Sequence, residues 1–329
     1  MTEKIVRIGG ASGYWGDTAS APRQLVEKGG IHYLVFDYLA EVTMSILAKM
    51  RARSAEAGYA TDFITLAMKP LLREISARKI KVVANAGGVN LAACRAALEQ
   101  IAAEAGVALK IGTVEGDDLL PRIEELRAMD LRDLASGAPL PERLLSANAY
   151  LGGLTIAAAL AAGADIVVTG RCVDSALVLG PLIHEFGWAP DDYDRLAAGS
   201  LAGHLLECGA QATGGNFTDW QDVADGWDDM GFPIAEVRED GSFVVTKPDG
   251  TGGLVSPLCG KQEDLIERPK WPSGLIAGLP KPAHLVVAQN AIARPLLRRQ
   301  SHSCDRRDFQ PALRDGPVKK RSQPRERFL

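Results

Sequence analysis

The chain has 329 residues, 47% hydrophobic and 24% charged, with a formal net charge of −4. That length holds one or two domains with a substantial core, and the composition is ordinary for a soluble globular protein. No run of about 18 uncharged apolar residues occurs, so no helical membrane span is expected. Cys94, Cys172, Cys208, Cys259 and Cys304 are odd in number, widely spaced and fit no metal motif; they read as reduced thiols. The start Met-Thr-Glu-Lys leads straight into a strand pattern with no apolar signal region, which points to a cytoplasmic location. Aromatic content of 6% argues against base stacking, so no nucleic-acid partner is expected.

Five times a short apolar strand pattern runs into a small, polar, glycine-rich loop and then a helix. The first strand, at about 5–9, meets the loop Gly9–Asp17, followed by a helix near 20–29. The second, 32–37, ends on Asp37 and precedes helical stretches at about 40–56 and 62–78. The third, 79–84, opens into Asn85-Ala86-Gly87-Gly88-Val89-Asn90 and a helix over 90–105 that stops at Gly106. The fourth, 108–113, leads to Glu115-Gly116-Asp117-Asp118 and a helical spacing over 118–129. An alanine-rich helix at 154–162, closed by Gly163, feeds the fifth strand and Thr169-Gly170-Arg171-Cys172-Val173-Asp174-Ser175. Helices near 174–186 and 192–208 follow. The period then changes to a strand pair around Asp240-Gly241, a hairpin turn.

Serial strand-loop-helix units build a parallel sheet, and five or six are too few for an eight-fold barrel. The expected fold is α/β: an open, mostly parallel, doubly wound (Rossmann-like) sheet with a small antiparallel hairpin appendage. Ligands of such sheets bind at the carboxyl ends of the strands, so all five loops are expected to line one cleft.

The loops offer these chemistries. Gly10, Gly13 and Gly16 resemble a dinucleotide fingerprint, but Tyr14, Trp15, Asp17 and Pro22 delay the helix. Asp37 lies 27 residues beyond Gly10, against about 20 for a ribose-binding acid, so nicotinamide is not favoured. These glycines let backbone approach a ligand beside Ser12, or else simply turn the chain. Asn90 suits a helix N-cap, while the amides of Gly87 and Gly88 suit an anion. Arg171 can grip a carboxylate or phosphate in two-pronged fashion near Ser175. Asp174 can cap its helix, bind a cation or act as a base. Asp37, Glu115 and Asp174 are the candidate catalytic acids and bases, and Asp37, Asp117 and Asp174 together could hold Mg²⁺. Gly10, Ser12, Gly13, Asn85, Gly87, Gly88, Asn90, Arg171 and Ser175 are the candidate binding residues. A CoA thioester or a divalent metal is compatible with them, as is a small anionic substrate; a homo-oligomer is compatible with the composition. His184 and His204 read as structural helix residues, and Cys208 as a nucleophile only if a base adjoins it.

The charge is unevenly divided. Residues 261–329 hold 15 Lys and Arg against 7 Asp and Glu, with 8 of the 18 prolines; taken from the whole-chain totals of 37 and 41, this leaves 22 basic and 34 acidic over 1–260. The expected division is therefore a domain over 1–257 and a basic, Pro-rich, non-core tail over 258–329, disordered or a frameshifted, non-native continuation.

Several segments together resemble the N-terminal domain of the acyclic terpene utilisation protein family (AtuA). They are Ile8–Asp17, Tyr33–Glu41, Asn85–Asn90, Ala147–Gly152, Gly163–Ser175 and Glu207–Phe217, in order along about residues 4–257. The resemblance implies bacterial catabolism of citronellol- or geraniol-type terpenes through branched acyl-CoA intermediates. It carries over no catalytic residues. Two hypotheses follow: an enzyme acting on a branched, acidic or CoA-linked substrate, or a non-catalytic binding or assembly partner of a catabolic complex.

Overall fold

The structure, a computed structural model, describes residues 4–216 and 220–255. The tail expected over 258–329 lies outside the described residues. Within them the chain runs β1 (Ile5–Gly10), α1 (Ser20–Lys28), β2 (Tyr33–Phe36), α2 (Glu41–Arg51), a π-helical turn Phe63–Met68 running into α3 (Lys69–Ala77), β3 (Lys81–Ala84), α4 (Leu91–Ala105), β4 (Ile111–Val114), α5 (Ile123–Ala128), α6 (Gly153–Ala161), β5 (Ile166–Thr169), α7 (Ala176–Phe186), α8 (Tyr193–Glu207), β6 (Ile234–Arg238) and β7 (Phe243–Thr246).

Among the described residues one seven-stranded sheet forms, in the order β4-β5-β3-β2-β1-β6-β7. The first five strands are mutually parallel. The expected antiparallel hairpin is present at one edge of the sheet, where β6 pairs antiparallel with β1 and β7 with β6. The central strands Tyr-Leu-Val-Phe of β2 and Ile-Val-Val-Thr of β5 are buried at every position. Continuous apolar strands of this kind need helices on both faces.

Those helices divide by face. α1, α3 and α4 pack against one another on one side, and α6, α7 and α8 on the other. The chain leaves β3 for α4 on the first side and β5 for α7 on the second. Because β3 and β5 are neighbours, their outgoing loops part in opposite directions. That is the topological switch point of an open sheet, where a crevice forms at the strands' carboxyl ends. No helix among the described residues is long and apolar enough to cross a membrane.

Candidate functional site

The crevice between the ends of β3 and β5 gathers side chains from four strand ends and one helix. Asp37 follows β2 and is buried. Asn85 follows β3 and is fully buried; its Nδ2 donates to Asp37 Oδ1 at 2.6 Å, and its Oδ1 accepts from Tyr38 N at 2.7 Å. One amide side chain thus fixes both the carboxyl group of Asp37 and the backbone beyond it. Ser12, after β1, donates from Oγ to the Asp37 carbonyl at 3.2 Å.

From β5 come Arg171 and Asp174. The Arg171 side chain is only 4% exposed, and its Nη1 donates to Asp174 Oδ1 at 2.5 Å and to the Cys172 carbonyl at 3.0 Å. Its Nη2 stands 3.7 Å from Glu41 Oε1, and its guanidinium lies 4.2 Å from the centroid of the Tyr150 ring. Tyr150 in turn donates its hydroxyl proton to Glu41. Arg171 Nε is buried with no partner among the described residues. The guanidinium is thus largely committed within the chain, and an anion clamp at this residue would have Nε as its open position.

The helix contribution comes from the C-terminal end of α8. Glu207 joins Asp37 and Asp174 so that one carboxylate oxygen of each lies within 4.8 Å of the others. Glu207 Oε1 is 2.8 Å from His204 Nδ1, while its Oε2 is buried without a partner among the described residues. Burial, then the neighbouring Asp174 charge, pushes Asp37 well above the usual carboxylate range; the Asn85 hydrogen bond opposes this and Glu207 adds to it. Burial likewise raises Glu207, against the pull of His204. The hydrogen bond to Glu207 raises His204. Burial works against the charge of Arg171, but Asp174 overcomes it and keeps the guanidinium protonated. The Cys208 thiol is pushed up to about 11 by burial, which makes it a poor nucleophile near neutral pH.

The glycines of the first loop admit the end of α8. A Cβ on Gly10 would sit 2.6 Å from the Leu206 carbonyl oxygen, and one on Gly13 3.0–3.1 Å from the backbone of Glu207 and Cys208. Gly203, one turn earlier in α8, meets the Ser175 backbone at 2.5 Å in the same sense. The backbone approaching Gly10 and Gly13 is therefore the end of α8, which delivers Glu207. Gly13 N is already bound to Asp17 Oδ2 at 2.9 Å.

The expected anion cradle after β3 is also differently employed. Gly87 N donates to the Thr169 carbonyl at 3.0 Å, Val89 N to Gly58 O at 2.8 Å and Asn90 N to Gly87 O at 2.9 Å. Gly88 turns with φ +55° against the Gly58 carbonyl, where no other residue fits. Asn90 takes the capping role: its Oδ1 accepts from Ala93 N at 3.4 Å, and its Nδ2 donates to Ala55 O and Ala57 O at 2.7 and 2.8 Å. Loss of the cap together with two buried-side contacts is expected to make Asn90→Ala cost about 1–2 kcal/mol, read by urea unfolding, with the carboxyl cluster unaffected. A cost near zero would mean the loop is held by its other bonds alone.

After β4, Glu115 is exposed and lies outside the cluster, and the buried acid is Asp117. Asp117 Oδ2 accepts from Arg171 N at 2.8 Å and from Asn148 Nδ2 at 2.9 Å, bracing the Arg171 loop. Ser175 is buried at the start of α7, against Gly203. The site thus unites Ser12, Asp37, Asn85, Arg171 and Asp174 with Glu207 and His204, two residues outside the expected set. A signal for Glu207 existed: an acid in the last turn of a helix opposes the helix dipole and needs a specific reason to be there.

Chemically, the cluster offers carboxyl groups whose environments differ: one buried against Asn85, one half-exposed on an arginine, one paired with a histidine. The same three oxygens, Asp37, Asp174 and Glu207, are close enough to surround a divalent cation. Comparison with curated proteins and with solved structures gives no match. Comparison with family models gives one, described as acyclic terpene utilisation family protein AtuA, over residues 6–263. That span takes in all the strands and helices described above except Ile5 at the start of β1, and the chain belongs to the AtuA family of acyclic terpene utilisation proteins.

Proposed function

We propose that the chain is an enzyme in the breakdown of citronellol- or geraniol-type terpenes or branched acyl-CoA compounds, and that it performs a proton transfer at the Asp37–Asp174–Glu207 cluster. The observation that carries this reading is the convergence of three carboxyl groups, from β2, β5 and α8, within 4.8 Å at the switch point of the sheet. Titratable groups whose environments push them apart are how one site supplies both an acid and a base. Asp37, raised by burial, is the proton donor; Asp174, on Arg171 and open to solvent, is the acceptor. The unpartnered Arg171 Nε and Glu207 Oε2 support a substrate group that both accepts and donates a hydrogen bond, such as a hydroxyl or an acid. The setting is bacterial and cytoplasmic in this reading.

A second reading places a divalent cation on the same three oxygens. A thermal-shift panel separates the two. Short branched acyl-CoA thioesters and the corresponding free acids are each tested with EDTA and with Mg²⁺, Mn²⁺ or Ca²⁺. Under proton transfer, an organic ligand raises the midpoint in EDTA, and Asp174→Asn abolishes the rise. A rise with metal alone that disappears in Glu207→Gln overturns that reading in favour of the cation. No response to any member of the panel would favour a non-catalytic partner of a catabolic complex.

A further inference from the structure

The nitrogens of the Arg171 guanidinium are engaged unequally. Nη1 is satisfied twice, by Asp174 Oδ1 at 2.5 Å and by the Cys172 carbonyl at 3.0 Å. Nε and Nη2 make up a two-pronged edge of the group, the shape that matches a carboxylate. Nε is buried with no partner among the described residues, and Nη2 has Glu41 Oε1 at 3.7 Å, beyond hydrogen-bond length. An unpaired donor on a side chain only 4% exposed costs stability, and a ligand that pairs it recovers that cost. Glu41 is the first residue of α2, and its side chain is 78% exposed. An acid at a helix start ordinarily does no more than oppose the dipole. This one also accepts the hydroxyl proton of Tyr150, 109 residues further along, whose ring lies 4.2 Å from the guanidinium. An ion pair so long and so exposed is worth little, so giving it up costs little.

We propose that the Nε–Nη2 edge of Arg171 binds a carboxylate of the substrate, that Glu41 holds the place of that carboxylate until it arrives, and that Tyr150 keeps Glu41 there. The proposal rests on the reading of the neighbouring cluster as an enzyme's site, and it narrows the substrate to a free acid. An alcohol or a thioester offers the edge one acceptor, whereas a carboxylate offers two. Charge selects among anions. Asp174 and Glu41 already face this guanidinium, and Asp37 and Glu207 each bring an oxygen within 4.8 Å of Asp174. A singly charged carboxylate meets less repulsion there than a doubly charged phosphate. Arrival of the substrate exchanges one carboxylate for another at Nη2 and adds the missing partner at Nε. Glu41 and Tyr150 are then specificity residues: they set how strongly a competing acid must bind to displace the resident one.

The test is isothermal titration calorimetry of the full chain at neutral pH in EDTA, with citronellate, citronellol, citronellyl-CoA and inorganic phosphate as probes. Citronellate is expected to bind more tightly than citronellol or phosphate. Arg171→Lys is expected to weaken citronellate at least about tenfold and to leave citronellol unchanged, because a point charge replaces the fork. Glu41→Gln is expected to tighten citronellate about threefold, because the competing charge is gone while Tyr150 keeps its acceptor. Thermal midpoints report whether each variant folds. Glu41 is exposed, so its variant decides the matter even if Arg171→Lys does not fold. A merely structural role for both residues predicts weaker binding in both variants, not opposite signs. Citronellate binding that Arg171→Lys leaves unchanged, phosphate binding as tightly as citronellate, or a Glu41→Gln variant that binds citronellate no more tightly than the wild type would each overturn the proposal. Citronellol or citronellyl-CoA binding where citronellate does not would overturn it too, while leaving the proton-transfer reading in place. Silence from all four probes would remove both.

Discussion

Asp37→Asn is expected to stabilise the folded chain at alkaline pH and to flatten the pH dependence of its unfolding. The wild-type carboxyl group is raised by burial and by Asp174 and Glu207, so the folded chain keeps a proton that the unfolded chain has lost. Wherever the folded state binds more protons, stability falls as pH rises. The fall begins at the ordinary carboxylate range, where unfolded Asp37 ionises, and continues up to the raised folded value. Its slope is about 1.4 kcal/mol per pH unit for one such proton. Asn cannot ionise, yet its Oδ1 still accepts the Asn85 Nδ2 bond, so the variant keeps the geometry and loses the penalty. Urea unfolding between pH 5 and 9 in EDTA measures this; parallel curves for wild type and variant would show that Asp37 is charged in the folded chain. Glu207→Gln should act in the same direction by less, because His204 offsets part of the rise.

Gly10→Ala is expected to cost near the top of the range of about 1–3 kcal/mol typical of overpacking. The added Cβ meets the Leu206 carbonyl at 2.6 Å, and backbone cannot swing aside as a side-chain tip can. Relief requires α8 to retreat from β1, and Glu207 moves with it. The variant should therefore lose part of the alkaline penalty just described while being less stable overall. Those two effects have opposite signs and appear in the same urea titrations. A destabilised chain with an unchanged pH slope would mean that α8 yields without moving its last turn. Gly203→Ala, against Ser175 at 2.5 Å, tests the same helix one turn earlier.

The sheet was legible because its signals are local and repeated: continuous apolar strands, polar loops, helices of regular period. Even Asp240-Gly241 marked its hairpin. Joining that hairpin to β1 was not legible, since the pairing of Ile5 with Arg238 is set by which edge is left open. Asp37, Asn85, Arg171 and Asp174 could be placed near one another because parallel strands send every loop to one edge. Glu115 is exposed and Asp117 buried because Gly116, with φ of +114°, breaks the alternation by which an extended chain assigns sides. Gly10 and Gly13 lie against the backbone of α8's last turn, a contact the sequence does not name, because a missing side chain marks a close approach without saying what approaches. Glu207 carried only its unfavourable place in a helix's last turn as a signal and His204 carried none, because their importance comes from where α8 ends in space.

The place of β6 beside β1 has a temporal consequence. Of the described strands β1 is made first, and the strand covering its outer edge is made next to last. Throughout the intervening synthesis its peptide groups stay open on one side, a template for unwanted strand addition. Arg7 stands on that edge and later pairs with Glu236 of the arriving strand, so a charge guards the edge until its mate appears.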